Sequence, residues 1–176
     1  MVDPLRRSLL TAPAACAAVA WLGLPAIAED TPSAPAVPTH FPRQDPELVR
    51  AVVGASHARF DQVEAIVSRQ PELAKGCVDW GYGDWESAIG AASHMGDRRI
   101  AECLMEHGAR PTLFTMAMLG QRDAVMAAIE AQPGIQRIPG PHGISLVQHA
   151  RQRLGRSDLP ASERPAVEST ILALEG

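Results

Sequence analysis

Apolar residues recur along the second half of the chain at helical spacing, in short bursts separated by glycine or proline. Ile100, Leu104 and Met105 form one stripe, and Ile89, Ala92 and Ser93 form a small-residue stripe before it. The same spacing recurs in Val63 and Val67, in Leu113 and Ala117, and in Val125 and Ile129. Each burst is too short for a long helix, and no clear run alternates with period two. This pattern predicts a series of short amphipathic helices. Gly96 and Gly108 follow two of the stripes, where glycine enters the left-handed region without a Cβ clash and ends a helix. Gly54 and Ala55 are the small residues of the helix preceding Val63. Gly143 to Ala150 opens a further helix, and Glu163 to Leu174 supplies the last, after the loop Ser157-Asp158-Leu159-Pro160.

The run Ser87 to Ala109 carries the pattern most clearly: Ser87-Ala88-Ile89-Gly90-Ala91-Ala92-Ser93-His94-Met95-Gly96, then Ile100-Ala101-Glu102-Cys103-Leu104-Met105-Glu106-His107-Gly108-Ala109. It resembles one ankyrin repeat, Thr-Pro-Leu-His-x-Ala-Ala-x-x-Gly followed by Ile-Val-x-x-Leu-Leu-x-x-Gly-Ala. Ser87 stands in the Thr position, where its hydroxyl can still bond free helix amides. Ala88 replaces Pro, and Gly90 replaces the His that bonds between repeats in the family. The weaker copies on either side bring the number to about four irregular repeats. The interval from Val63 to Ala101 is longer, and that from Ala101 to Val125 shorter, than the family's period of about 33 residues. An insertion therefore precedes the best repeat. A deletion follows it, where Gly108-Ala109-Arg110-Pro111 leads almost directly into a helix. The resemblance implies an all-α solenoid of stacked helix-turn-helix pairs, whose faces usually bind partners.

The amino terminus has a different composition. Arg6 and Arg7 precede an uncharged, Ala-rich apolar run from Ser8 to Ile27, and Ala26-Ile27-Ala28 is a small-x-small cleavage site. Residues 1–28 read as a signal peptide. Arg6-Arg7-Ser8-Leu9-Leu10 resembles the twin-arginine export motif, while Leu5 and Thr11 depart from its fuller form and leave the Sec route open. Pro13, Gly23 and Pro25 interrupt the run and argue against a membrane anchor. Pro13 and the short preceding stretch argue against lipidation at Cys16. Residues 29–45 hold Pro32, Pro35, Pro38 and Pro42, with Pro46 just beyond, and read as an extended tether. Residues 46–176 remain for the repeat domain. The mature chain is expected in the periplasm or secreted, and not as an integral membrane protein.

The net charge of −4, with Lys75 the single lysine, leaves no basic footprint for nucleic acid. Arg98-Arg99 and Arg151-Arg153 read as solvated groups on exposed helix faces. Cys77 and Cys103 remain after processing. They pair if their Cα atoms come into range, and otherwise stay as two separate, partly buried thiols.

Six histidines are scattered at irregular spacing: His40, His57, His94, His107, His142 and His149. None forms a zinc-peptidase pair with a glutamate, no nucleophile sits on a recognisable elbow, and there is no phosphate loop. They read as capping and inter-repeat hydrogen-bonding groups, with no metal, cofactor or catalytic residue implied. The segment Val78-Asp79-Trp80-Gly81-Tyr82-Gly83-Asp84-Trp85-Glu86 fills the insertion, where ankyrin proteins carry a β-hairpin finger. It holds two of the three tryptophans and the only tyrosine. Aromatic residues dominate interface hot spots. Trp80, Tyr82, Asp84 and Trp85 are therefore the candidate contact with a protein partner, although Trp85, directly before a helix, is expected to fold back over the helices. The functional expectation is an exported protein–protein interaction module of the cell envelope. The alternatives are a small-molecule- or metal-dependent enzyme on the concave face, supported only by the histidines, and a purely structural envelope protein.

Overall fold

The computed structural model of the protein describes residues 43–176. The signal-peptide reading and most of the tether lie outside the described residues.

The fold is predominantly helical, with one two-stranded sheet. Helices follow in consecutive pairs: α1 (Pro46–Ala55) with α2 (Phe60–Arg69), α3 (Ala88–His94) with α4 (Arg98–Glu106), α5 (Leu113–Met118) with α6 (Arg122–Ala131), and α7 (Leu146–Leu154) with α8 (Arg164–Glu175). Their starts are chemically marked. The side chains of Asp45, Ser87, Asp97 and Thr112 each accept a hydrogen bond from a free amide of the first turn, satisfying donors that the helix itself cannot. Gly96, Gly108 and Gly120 follow α3, α4 and α5 with φ of +67°, +92° and +73°, as the glycine pattern predicted for the first two.

First helices pack on first helices, α1 on α3, α3 on α5 and α5 on α7, while α2 packs on α4 and α6 on α8. Small residues set the close approach: Ala91, Ala92, Ser93, Ala117 and Ala150 are all fully buried. The largest core lies under the first two pairs, where Val52, Val63, Val67, Leu73, Ile100 and Leu104 are shielded from solvent. Each such aliphatic side chain contributes about 1.5–3 kcal/mol of hydrophobic stabilisation.

The arrangement is not purely linear, because α7 also contacts α3. The six-residue α5 is too short to separate them fully. A Cβ on Gly96 would lie 2.7 Å from the backbone of Gln152 and Arg153, and one on Gly120 would lie 2.9 Å from Val167 N. The last pair is therefore seated on two glycine turns.

One charge expectation changes, at Arg153, while Arg99 and Arg151 are exposed. Arg153 is 3% exposed and not solvated. Its guanidinium donates to Asp158 Oδ1 at 3.0 Å and Glu163 Oε2 at 3.2 Å, and Arg98 meets the same Glu163 oxygen at 3.2 Å. Arg99 lies with its guanidinium 3.4 Å from the Phe60 ring centroid. Among the described residues the two cysteines are free, Cys77 exposed and Cys103 buried in α4. No helix among the described residues is long and apolar enough to cross a membrane.

Candidate functional site

The insertion before α3 forms an antiparallel hairpin, β1 (Cys77–Asp79) and β2 (Trp85–Ser87), with Val78 opposite Glu86 and Asp79 opposite Trp85. Alternation across the strands sends Val78 and Glu86 inward and Asp79 and Trp85 outward. Trp85 is accordingly 61% exposed. Its expected folding back over the helices is corrected by this register: burying Glu86 forces its neighbour out.

At the tip, Gly81, Tyr82 and Gly83 all have positive φ, +125°, +55° and +80°. The turn is closed by Trp80 N donating to Asp84 O and by Gly81 N donating to the Asp79 carboxylate. Tyr82 is fully exposed. Trp80 continues the inward phase of β1. Its indole Nε1 donates to Glu86 Oε2 at 2.8 Å, and Arg50 stands 5.2 Å from the ring centroid. Asp84 turns toward the loop before α7, accepting from His142 N at 2.9 Å and His142 Nδ1 at 2.8 Å. Those bonds, the backbone one first, hold its carboxyl below the ordinary range. Of the four residues expected to meet a partner, Tyr82 and Trp85 face outward. Trp80, still 39% exposed, and part-exposed Asp84 turn their polar atoms to Glu86 and His142.

They reach toward a cluster that the sequence did not assign. Glu86 is completely buried. Its Oε1 lies 3.1 Å from His94 Nδ1 and 3.2 Å from His142 Nε2, and its Oε2 lies 3.6 Å from His57 Nε2. The His94 ring centroid is 5.0 Å from that of His57 and 5.5 Å from that of His142. Burial pushes the Glu86 carboxyl up. The His94 contact, the Trp80 indole and the neighbouring charge of His57 outweigh it, so the acid sits below its usual range.

Each histidine arrives for a local reason. His57 follows α1 and donates Nδ1–H to the carbonyl of Val53, in the last turn of that helix, at 3.1 Å. His94 is the last residue of α3. His142 sits in a short 3-10 turn with φ of +58°, held by Asp84. A fourth histidine ring, His149 in α7, donates Nδ1–H to Ser145 O at 2.8 Å and packs 6.4 Å from His94. Its Nε2 is buried without a partner, and burial lowers its pKa. His107 only bonds Cys103 O.

The segments Gly54-Ala55-Ser56-His57 and Ala91-Ala92-Ser93-His94 are near copies. In both, the serine hydroxyl donates four residues back, to Val52 O at 2.7 Å and Ile89 O at 2.6 Å. Packing α1 on α3 places equivalent positions side by side, which brings the two histidines together. That repeated Ala-Ser-His was the available signal.

No protein-family model, curated protein or solved structure matches the chain. The side chains must carry the functional argument unaided.

Proposed function

We propose that this chain is an exported binding module of the ankyrin type, which presents the hairpin finger to a protein partner through Tyr82 and Trp85. The observation that carries the reading is Tyr82 itself. A bulky residue at positive φ costs of order 1–3 kcal/mol, and such strain persists where function requires it. Tyr82 recovers none of that cost by packing, because its side chain is wholly exposed. Glycine would serve the turn better, as it does at Gly81 and Gly83. The phenol is retained for something outside the fold. Trp85 stands exposed on the adjoining strand, and its groove is lined by Val49, Val78, Arg50 and Lys75. Two rigidly mounted aromatics suit the central anchors of an interface. The pairwise helix packing and the glycine turns support the repeat reading, and the apolar start of the chain supports export.

The test is crosslinking capture from the envelope fraction with the mature chain, wild type against Tyr82→Gly with Trp85→Ala. The double variant is expected to lose a specific crosslinked partner, since truncating a central aromatic costs about 2 kcal/mol or more of binding. Its melting temperature should hold or rise as the tip strain is relieved. Undiminished capture by the folded variant overturns the reading.

A further inference from the structure

We infer that His57, Glu86, His94 and His142 form a binding site for one divalent transition-metal ion of the zinc class, at the root of the finger. One ligand atom from each of the four residues can be chosen so that all lie within 4.8 Å of one another. A tetrahedral ion with bonds of about 2 Å needs ligand atoms about 3.3 Å apart. The Glu86 Oε1 contacts to His94 and His142, at 3.1 and 3.2 Å, already have that spacing.

Aligned hydrogen bonds within the cluster account for only part of its geometry. Glu86 Oε1 and His94 Nδ1 are buried and adjacent, yet neither has an aligned hydrogen-bond partner. Buried polar atoms are rarely left so. The outer contacts point the same way. His57 Nδ1 is bound to Val53 O and His142 Nδ1 to the Asp84 carboxylate, so each ring, whenever it is neutral, turns its Nε2 lone pair to Glu86. Lone pairs converging on a carboxylate repel one another unless a cation intervenes, either a proton on each ring or one metal ion shared by them all. Metal-ligating histidines characteristically donate their other N–H to a backbone carbonyl or carboxylate, which fixes tautomer and ring orientation. Both arrangements occur here. Trp80 holds Glu86 Oε2 and leaves Oε1 available to ligate.

Three imidazoles and one carboxylate, with no thiolate, suit zinc, cobalt, nickel or copper and not the oxygen-seeking calcium or magnesium. Four protein ligands complete a tetrahedral sphere. They come from the end of α1, from the β2–α3 segment and from the loop before α7. The ion would therefore fasten the finger and that loop to the helices. Asp84 is a positioning residue in this scheme, acting through His142 without touching the ion.

The test uses the mature chain, untagged and stripped with chelator. Isothermal titration with Zn2+ is expected to show one site. Co2+ should give the intense visible absorption of four-coordinate geometry, without a thiolate charge-transfer band. His142→Ala, on an exposed loop, should remain folded and lose at least about 100-fold in affinity, while Asp84→Asn, with every ligand intact, should lose about 10–100-fold. Cys77→Ser with Cys103→Ser should bind as wild type. Zn2+ should raise the melting temperature of wild type and not of His142→Ala. Absence of Zn2+ binding, or equal affinity and equal thermal response in folded His142→Ala, overturns the assignment and leaves the cluster as a carboxylate neutralised by histidine protons.

Discussion

Glu86 and Arg153 are both charged, both withdrawn from solvent and both placed where separate helix pairs meet. Their surroundings differ in one respect. Arg153 meets two carboxylates, with the Gly96 carbonyl at the limit of hydrogen-bonding distance, and leaves no buried donor unpaired. Glu86 meets three imidazoles, and two buried atoms of that group lack aligned partners. The first is a stitch, complete in the chain alone. The second has the form of a site, whose remaining valence something else supplies. Burial of charge does not separate the two cases; completeness of pairing does.

The largest effect should come from breaking the stitch. Arg153→Ala removes a buried side chain and its bonds to two carboxylates, though Asp158 keeps Arg156 and Glu163 keeps Arg98, and is expected to cost about 1–3 kcal/mol in urea unfolding. Glu86→Gln in the metal-free protein keeps an acceptor for Trp80 but gives up the carboxylate that its neighbours hold below the usual range, so at neutral pH it should lose some stability, and less than Arg153→Ala. Equal losses in the two variants would erase the distinction drawn here.

A smaller effect sharpens the Arg153 side. The Arg156 hydrogen bond, with help from the charge of Arg156 and Arg153, holds the Asp158 carboxyl below its ordinary 3.8. A depressed carboxylate stabilises the fold above its unfolded pKa, and that contribution disappears as pH falls through the folded value. Asp158→Asn should therefore lower stability at neutral pH, by about 1 kcal/mol or less because the group is half exposed. The difference from wild type should vanish in acid below pH 3.8. Thermal melts across that range check it, and a constant difference would exclude ionisation as the cause.

The smallest effect concerns Gly90, buried beside the cluster. A Cβ there would lie 3.2 Å from Ser87 Oγ, the group that caps α3. Gly90→Ala gains helix propensity of up to about 1 kcal/mol and presses on that cap. The net shift in melting temperature should be within a degree or two.

The helices were legible because their cause is local. Stripes such as Ile100-Leu104, capping residues such as Ser87 and stops such as Gly96 act within a few residues. The finger was legible as an interruption of the helical pattern rich in turn-forming glycine. Trp85 was misjudged because its orientation depends on strand register, and therefore on where Glu86 goes. The histidine cluster was missed for a related reason. His57, Glu86, His94 and His142 lie far apart in the chain, and only packing α1 on α3 and folding the loop before α7 against the finger bring them together. Arg153 likewise reads as solvent-facing until α7 lies against the turn at Gly96.

That contact between α7 and the second helix pair bears on how the chain comes apart. Linear repeat arrays touch only their neighbours, so they can fray from an end one unit at a time. Here the terminal pair grips a turn two units back, through Gly96 and the shared carboxylate of Glu163. Releasing it uncovers the middle of the molecule as well as its end. The carboxy-terminal pair is thus tied to the middle of the domain and should not fray on its own, whereas the first pair, which packs only on the second, lacks such a tie.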